Sequence, residues 1–120
     1  MLIMLVAALS LIVLLRRFDR MRGQLTEELH VQATHDPLTG LPNRSLLQDR
    51  LTEFQRETGA AAALLFLDLD RFKAVNDTFG HAAGDVVLGE AATRMRQSLR
   101  PPDFIARVGG DEFMVLLPQV

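Results

Sequence analysis

The chain has 120 residues, 48% of them apolar, with 13 basic against 15 acidic side chains, a formal charge of −2 and no cysteine. That rules out a disulfide scaffold, a thiolate zinc site and a cysteine nucleophile, and it gives no reason to expect nucleic-acid binding. The balance is that of an ordinary globular chain with room for one small domain, except at the head, where Met1–Leu15 is apolar at every position but Ser10 and carries no charge.

Arg16, Arg17, Arg20 and Arg22 follow that head. A helix over it would reach about 22 Å, short of the roughly 30 Å hydrocarbon core of a bilayer. No basic region precedes it, as a secretory signal would need, and clustered arginines mark a cytoplasmic flank. Residues 1–15 are therefore expected to be part of a transmembrane helix, its inner end, with the start upstream. The plainer reading, a buried core helix, is disfavoured by the lack of a polar face. Phe18, Met21, Leu25 and Leu29 then fall on one helical stripe, so residues 16–33 are expected to form a cytoplasmic stalk helix. It is either a simple stalk or a parallel coiled coil coupling two subunits.

Residues 34–43 are a loop on local chemistry. Asp36-Pro37, Thr39-Gly40 and Leu41-Pro42 all break helices, and Asn43 can cap the next one. Leu46, Leu47, Leu51 and Phe54 mark an amphipathic helix ending near Gly59. The apolar run Ala60–Leu67 predicts a strand buried on both faces, ending in Asp68-Leu69-Asp70. A helix is expected over about Arg71–Asp77, with a break at Phe79-Gly80-His81. A second runs over about Ala82–Leu99, with Val86, Leu88, Ala91, Ala92, Met95 and Leu99 on or near one face, until Pro101-Pro102 stops it. Phe104–Val108 and Glu112–Leu117 predict two strands of a hairpin turning at Gly109-Gly110-Asp111. The order implies an α/β or α+β fold, a sheet covered by helices.

Strand alternation places Asp68 and Asp70 on one side and Leu69 on the other. Paired carboxylates at a strand mouth repel each other unless a cation or donors lie between them, and oxygen ligands of this kind suit magnesium. For Asp-x-Asp taken alone, a strand simply ending in polar residues is the favoured reading. Gly109-Gly110-Asp111-Glu112 adds a second acidic pair behind glycines that permit positive φ and close backbone approach, as a phosphate contact or a plain β-turn requires. Asn76 and Asp85 flank the Gly80-His81 break. An amide donates to guanine O6 or N7 and a carboxylate accepts from guanine N1–H and N2–H₂; either residue is also a common helix cap. Lys73 follows Asp70 by three positions, facing a phosphate or solvent.

Together these blocks resemble the GGDEF family of diguanylate cyclases. Arg107-Val108-Gly109-Gly110-Asp111-Glu112-Phe113 carries the signature. The run His35–Arg44 is similar to the family's leading loop, Asp68–Asp77 to its metal and substrate segment, and Phe79-Gly80-His81 through Gly84-Asp85 completes the set. The resemblance spans residues 34–120. It implies a nucleotidyl-cyclase-like sheet, incomplete at the C-terminus, whose third strand is left with an open edge.

The resemblance also implies condensation of two GTP to cyclic di-GMP and pyrophosphate by a homodimer at the bacterial inner membrane, the GGDEF domain lying in the cytoplasm. It implies Mg²⁺, with Mn²⁺ as a substitute, on Asp68, the Leu69 carbonyl and Asp111. Asp111 and Glu112 would serve the attacking hydroxyl and Lys73 the transition state. Asn76, His81 and Asp85 would hold guanine, and Gly109 and Gly110 would let the backbone approach phosphate. Arg100 and Asp103 fit the family's product-inhibition pair. The 120 residues alone are expected to be inactive. Two alternatives stand beside this reading: a GTP or cyclic di-GMP sensor without turnover, and a membrane-tethered dimerisation module.

Overall fold

A computed structural model describes residues 1–118. Two compact units divide the chain near Ala33, and each is described by itself. The first is α1 (Leu2–Thr34), one unbroken 33-residue helix. The apolar head and the arginine-rich stretch share this one helix, since nothing between them breaks it. No helix among the described residues is long and apolar enough to cross a membrane, so the expected transmembrane segment finds no support in the fold. The stripe of Phe18, Met21, Leu25 and Leu29 is exposed, as is the head, and Arg22 lies over the Phe18 ring at 5.9 Å.

The second unit holds α2 (Arg44–Thr58), β1 (Ala63–Asp68), α3 (Phe72–Phe79), α4 (His81–Ser98), β2 (Phe104–Gly109) and β3 (Glu112–Leu117). The expected cap is made: Asn43 Oδ1 accepts from the Leu46 N–H at 3.0 Å. Gly59 ends α2 in the left-handed region, its N–H returning to Gln55.

The sheet is antiparallel in the order β1-β3-β2. The hairpin is as predicted, with Gly110 and Asp111 as its two-residue turn. Two sequence expectations are corrected. β3 is the central strand, so the open edges belong to β1 and β2. β1 is also not buried on both faces: Leu64, Leu65, Phe66 and Leu67 are all exposed, because the core residues of α2 and α4 pack against β2 and β3 and not against β1. An all-apolar run cannot by itself tell a covered strand from an uncovered one.

The core is split by strand alternation. Ile105, Phe113 and Val115 point to one face, where Leu88 and Ala92 of α4 cover them with Leu41. Ala106 and Leu116 point to the other, onto Leu47 of α2. The core-facing stripe of α4 is Leu88, Ala92 and the partly buried Met95, continued by the partly buried Leu99 just past its end, at steps of four, three and four residues. Val86 is the exception to the predicted face, since two residues of helix turn it about 200° from Leu88, and it is exposed.

Candidate active site

β1 and β3 pair so that Asp68 faces Glu112, and the Leu69 N–H donates to the Asp111 carbonyl at 3.2 Å. This brings the end of β1 against the β2–β3 turn. The Asp68 and Asp111 carboxyls come within hydrogen-bonding reach. The hydrogen bond to the Asp111 side chain, then burial, then the charges of Asp111 and Glu112 push the Asp68 pKa above the ordinary carboxylate value, against a backbone N–H from Leu69 that pulls it down. Two residues far apart in sequence thus form one acidic pair through strand register.

Asp70 is not its third member. The strand ends at Asp68, and Asp70 and Arg71 form the turn into α3, so the alternation expected to align Asp70 with Asp68 does not extend that far. Arg71 stands at φ +60°, the one non-glycine residue with positive φ among those described. The donor set left at this point is two carboxylates and the Leu69 carbonyl, hard oxygens that suit Mg²⁺. Among the described residues no group of three or more acidic or histidine side chains gathers that would hold a metal unaided. Waters and substrate phosphates would complete the shell, as is usual for this ion. The residues fit the group.

Only the second signature glycine uses its conformational freedom. Gly110 turns at φ +45°, while Gly109 ends β2 opposite Glu112, past a bulge between Arg107 and Gly109. No heavy atom lies within 4 Å of where a Cβ would stand on either, so the turn is bare, as close approach of a phosphate needs.

The turn is held by a residue to which sequence reasoning assigned no role. Arg107 Nε and Nη2 both donate to the Gly110 carbonyl, at 3.0 and 2.7 Å. Its Nη1 donates to Asp36 Oδ1 at 2.8 Å. Asp36 Oδ2 accepts from the Thr39 N–H and hydroxyl, each at 2.8 Å. Burial alone would raise the Asp36 pKa, but these donors and the arginine charge outweigh it and hold the carboxyl below its usual value. The signal was present: Arg107 opens the signature, and Asp36 opens an Asp-Pro-x-Thr-Gly loop.

Asn76, expected at the base, sits in α3 against α4. Its Oδ1 is buried without a hydrogen-bond partner and lies against Gly84. His81 and Asp85, in the first turns of α4, are exposed, as is Lys73 on α3, so all three are open to a ligand. Asp68 precedes α3 and Asn76 lies one turn from its end, giving an acidic end and a base end linked by one short helix.

Arg100 and Asp103 lie apart from these residues. The Asp103 N–H donates to the Arg100 carbonyl at 2.7 Å, and Asp103 Oδ2 accepts from the Arg100 N–H at 3.3 Å. Both line a cavity of about 370 Å³ with Arg50 and Arg96, a basic recess suited to an anion.

Residues 33–120 match the sequence model described as "Diguanylate cyclase, GGDEF domain". The chain is 47% identical over 110 residues to the diguanylate cyclase TpbB of Pseudomonas aeruginosa, covering 87% of itself and 25% of that protein. It is similar to the solved structure of an N-terminally truncated form of TpbB comprising only the GGDEF domain, with a TM-score of 0.64 at 52% identity, covering 69% of this chain and 50% of that one. It is also similar to the coiled coil and GGDEF domain of DgcB from Caulobacter crescentus, solved in complex with c-di-GMP. There the TM-score is 0.75 at 38% identity, over 84% of this chain and 54% of the other. The chain thus spans about a quarter of the curated relative and about half of each solved chain.

Proposed function

Because the chain belongs to the GGDEF, diguanylate cyclase family, we propose that it is the catalytic part of a cyclase that joins two GTP into cyclic di-GMP. The observation that carries this reading is the meeting of Asp68 with Asp111 at the bare Gly109-Gly110 turn. A pair of carboxylates brought within hydrogen-bonding reach at an exposed turn is costly to the fold and useful for phosphoryl transfer.

In this reading each subunit of a homodimer presents one GTP. The ribose 3′-OH of one attacks the α-phosphorus of the other; a P–O bond forms, pyrophosphate leaves with the bonding pair, and the second closure is equivalent. Asp111 takes the hydroxyl proton, with Glu112 beside it as the alternative acceptor. Lys73, exposed and without a carboxylate partner among the described residues, opposes charge growing on the phosphoryl oxygens. Asn76 donates to guanine O6 or N7, Asp85 accepts from N1–H and N2–H₂, and His81 closes the base end. Asp68, the Leu69 carbonyl and Asp111 would hold Mg²⁺, which when bound neutralises phosphate charge and acidifies the hydroxyl. Arg100 and Asp103 would take product in their basic recess and restrain turnover. The apolar head would anchor the protein at the cytoplasmic membrane.

The test is incubation of the full-length protein with GTP and Mg²⁺, with mass spectrometry for cyclic di-GMP and pyrophosphate. Product that disappears in Asp111→Ala supports the cyclase. Tight GTP binding by a dimer that forms no product would replace it with the sensor reading.

A further inference from the structure

Gly84 of α4 lies against Asn76 and Phe72 of α3. A Cβ built on it would overlap Asn76 Oδ1 and fall 2.8 Å from Asn76 Cγ and 3.2 Å from Phe72 Cζ. The Phe72 ring packs on the α4 side of the core and cannot retreat cheaply. No residue with a side chain fits beside Asn76 in its present position. The same geometry states what does fit. The glycine hydrogen occupying the Cβ direction points at the amide oxygen, making a Cα–H···O contact. An amide NH₂ turned inward would set hydrogens against hydrogen.

This fixes the polarity of the Asn76 amide. Its oxygen is sealed, with no other partner, while Nδ2 is not buried and keeps both donors for the outside. An asparagine with both ends free is the usual reader of adenine, accepting from N6 and donating to N7. Sealing the oxygen removes the acceptor that adenine needs and leaves donors that suit guanine O6 and N7. We propose that Gly84 is a positioning residue for base selection: it locks the Asn76 amide oxygen-inward and thereby disables the adenine contact. The proposal rests on the reading of Asn76 as a guanine contact and adds what sets its polarity.

The test is equilibrium binding of GTP and of ATP to the full-length protein with Mg²⁺, for the wild type, Asn76→Ala, Gly84→Ala and the double variant, together with thermal melting. Gly84→Ala is expected to weaken GTP about tenfold, to narrow the GTP-over-ATP preference, and to lower the melting temperature. In the Asn76→Ala background the same change should cost no further affinity and clearly less stability, because only the 3.2 Å approach to Phe72 Cζ remains. A folded Gly84→Ala protein with the wild-type GTP-to-ATP ratio would overturn the proposal while leaving the Asn76 reading intact. If Asn76→Ala itself leaves that ratio unchanged, the base contact fails first. Should Gly84→Ala not fold, the double variant decides: recovery of folding supports the contact, and continued failure to fold overturns it. Gly89→Ala, on the same helix with no heavy atom within 4 Å of its Cβ direction, controls for helix propensity and should stabilise the protein slightly.

Discussion

Arg107 Nη1 and Asp36 Oδ1 lie 2.8 Å apart across 71 residues of sequence, and the pair is 85% withdrawn from water, each side chain being 15% exposed. The remaining guanidinium donors end on the Gly110 carbonyl. One side chain thus fastens the loop after α1 to the turn that carries Asp111.

Arg107→Ala should therefore cost more than a surface ion pair, about 2–3 kcal/mol, because it leaves a largely buried carboxylate without its charge partner. Arg107→Lys should recover only part of this, since an ammonium cannot serve both acceptors with the fork geometry. Urea midpoints measure both. Equal midpoints for Arg107→Lys and the wild type would deny the fork any part in stability.

The same pair sets a pH dependence. The folded Asp36 pKa lies below its unfolded value, so the stability it adds is complete above the unfolded value and is lost as pH falls through the folded one. Asp36→Asn should be less stable than the wild type at neutral pH, with the difference shrinking in acid. Parallel stability curves for the two proteins would contradict this.

Asp68 works in the opposite sense. Its pKa is raised, chiefly by a hydrogen bond to the Asp111 side chain, so the folded state is favoured by protonation of Asp68 and loses that advantage as pH rises through the raised value. Without divalent cations, Asp111→Asn should melt higher than the wild type at neutral pH, since one of two opposed charges is gone. Added Mg²⁺ should raise the wild-type melting temperature more at neutral than at mildly acidic pH, and Asp111→Asn should lose that response. A variant that melts lower than the wild type under both conditions would mean the pair is not strained.

Arg71 holds a left-handed conformation at φ +60°, which costs a residue with a Cβ roughly 1 kcal/mol. Arg71→Gly should recover a comparable amount, read from the urea midpoint. A loss of stability instead would mean that the arginine side chain contributes more than its backbone costs.

Asp85 bears on a different measurement. Its carboxylate is exposed at the base end and is assigned to guanine N1–H and N2–H₂. Asp85→Asn should weaken GTP by about tenfold or more and flatten the preference for GTP over inosine triphosphate, which lacks the 2-amino group. An unchanged preference would remove Asp85 from base reading.

Much of this was legible from residue types. The Asn43 cap, the Gly59 stop, the helix break before His81 and the hairpin around Gly110 are local signals, and each appears where local chemistry places it. What was not legible depends on who sits next to whom. The exposure of β1 follows from where the helices pack, over β2 and β3, which its apolar letters do not encode. The end of the strand at Asp68 separated Asp70 from the acidic pair, because the turn at Arg71 begins sooner than alternation assumes. The Arg107–Asp36 contact and the Asn76–Gly84 contact join residues through the tertiary fold, and neither partner's identity announces the other. The Asp68–Asp111 pair lies between these cases: both carboxylates were singled out, but only the β1–β3 register brings them together.

That register has a further consequence. β1 is an edge strand whose exposed leucines hold few partners, so little in its own side chains prevents it from sliding along β3. A slip of one residue would put Leu67 or Leu69 opposite Glu112, turn every β1 side chain to the other face, and carry Asp68 away from Asp111. A cation bound by both carboxylates would favour the one alignment that presents them together, by mass action. Ion binding and correct strand pairing in this sheet are then a single equilibrium viewed from its two ends.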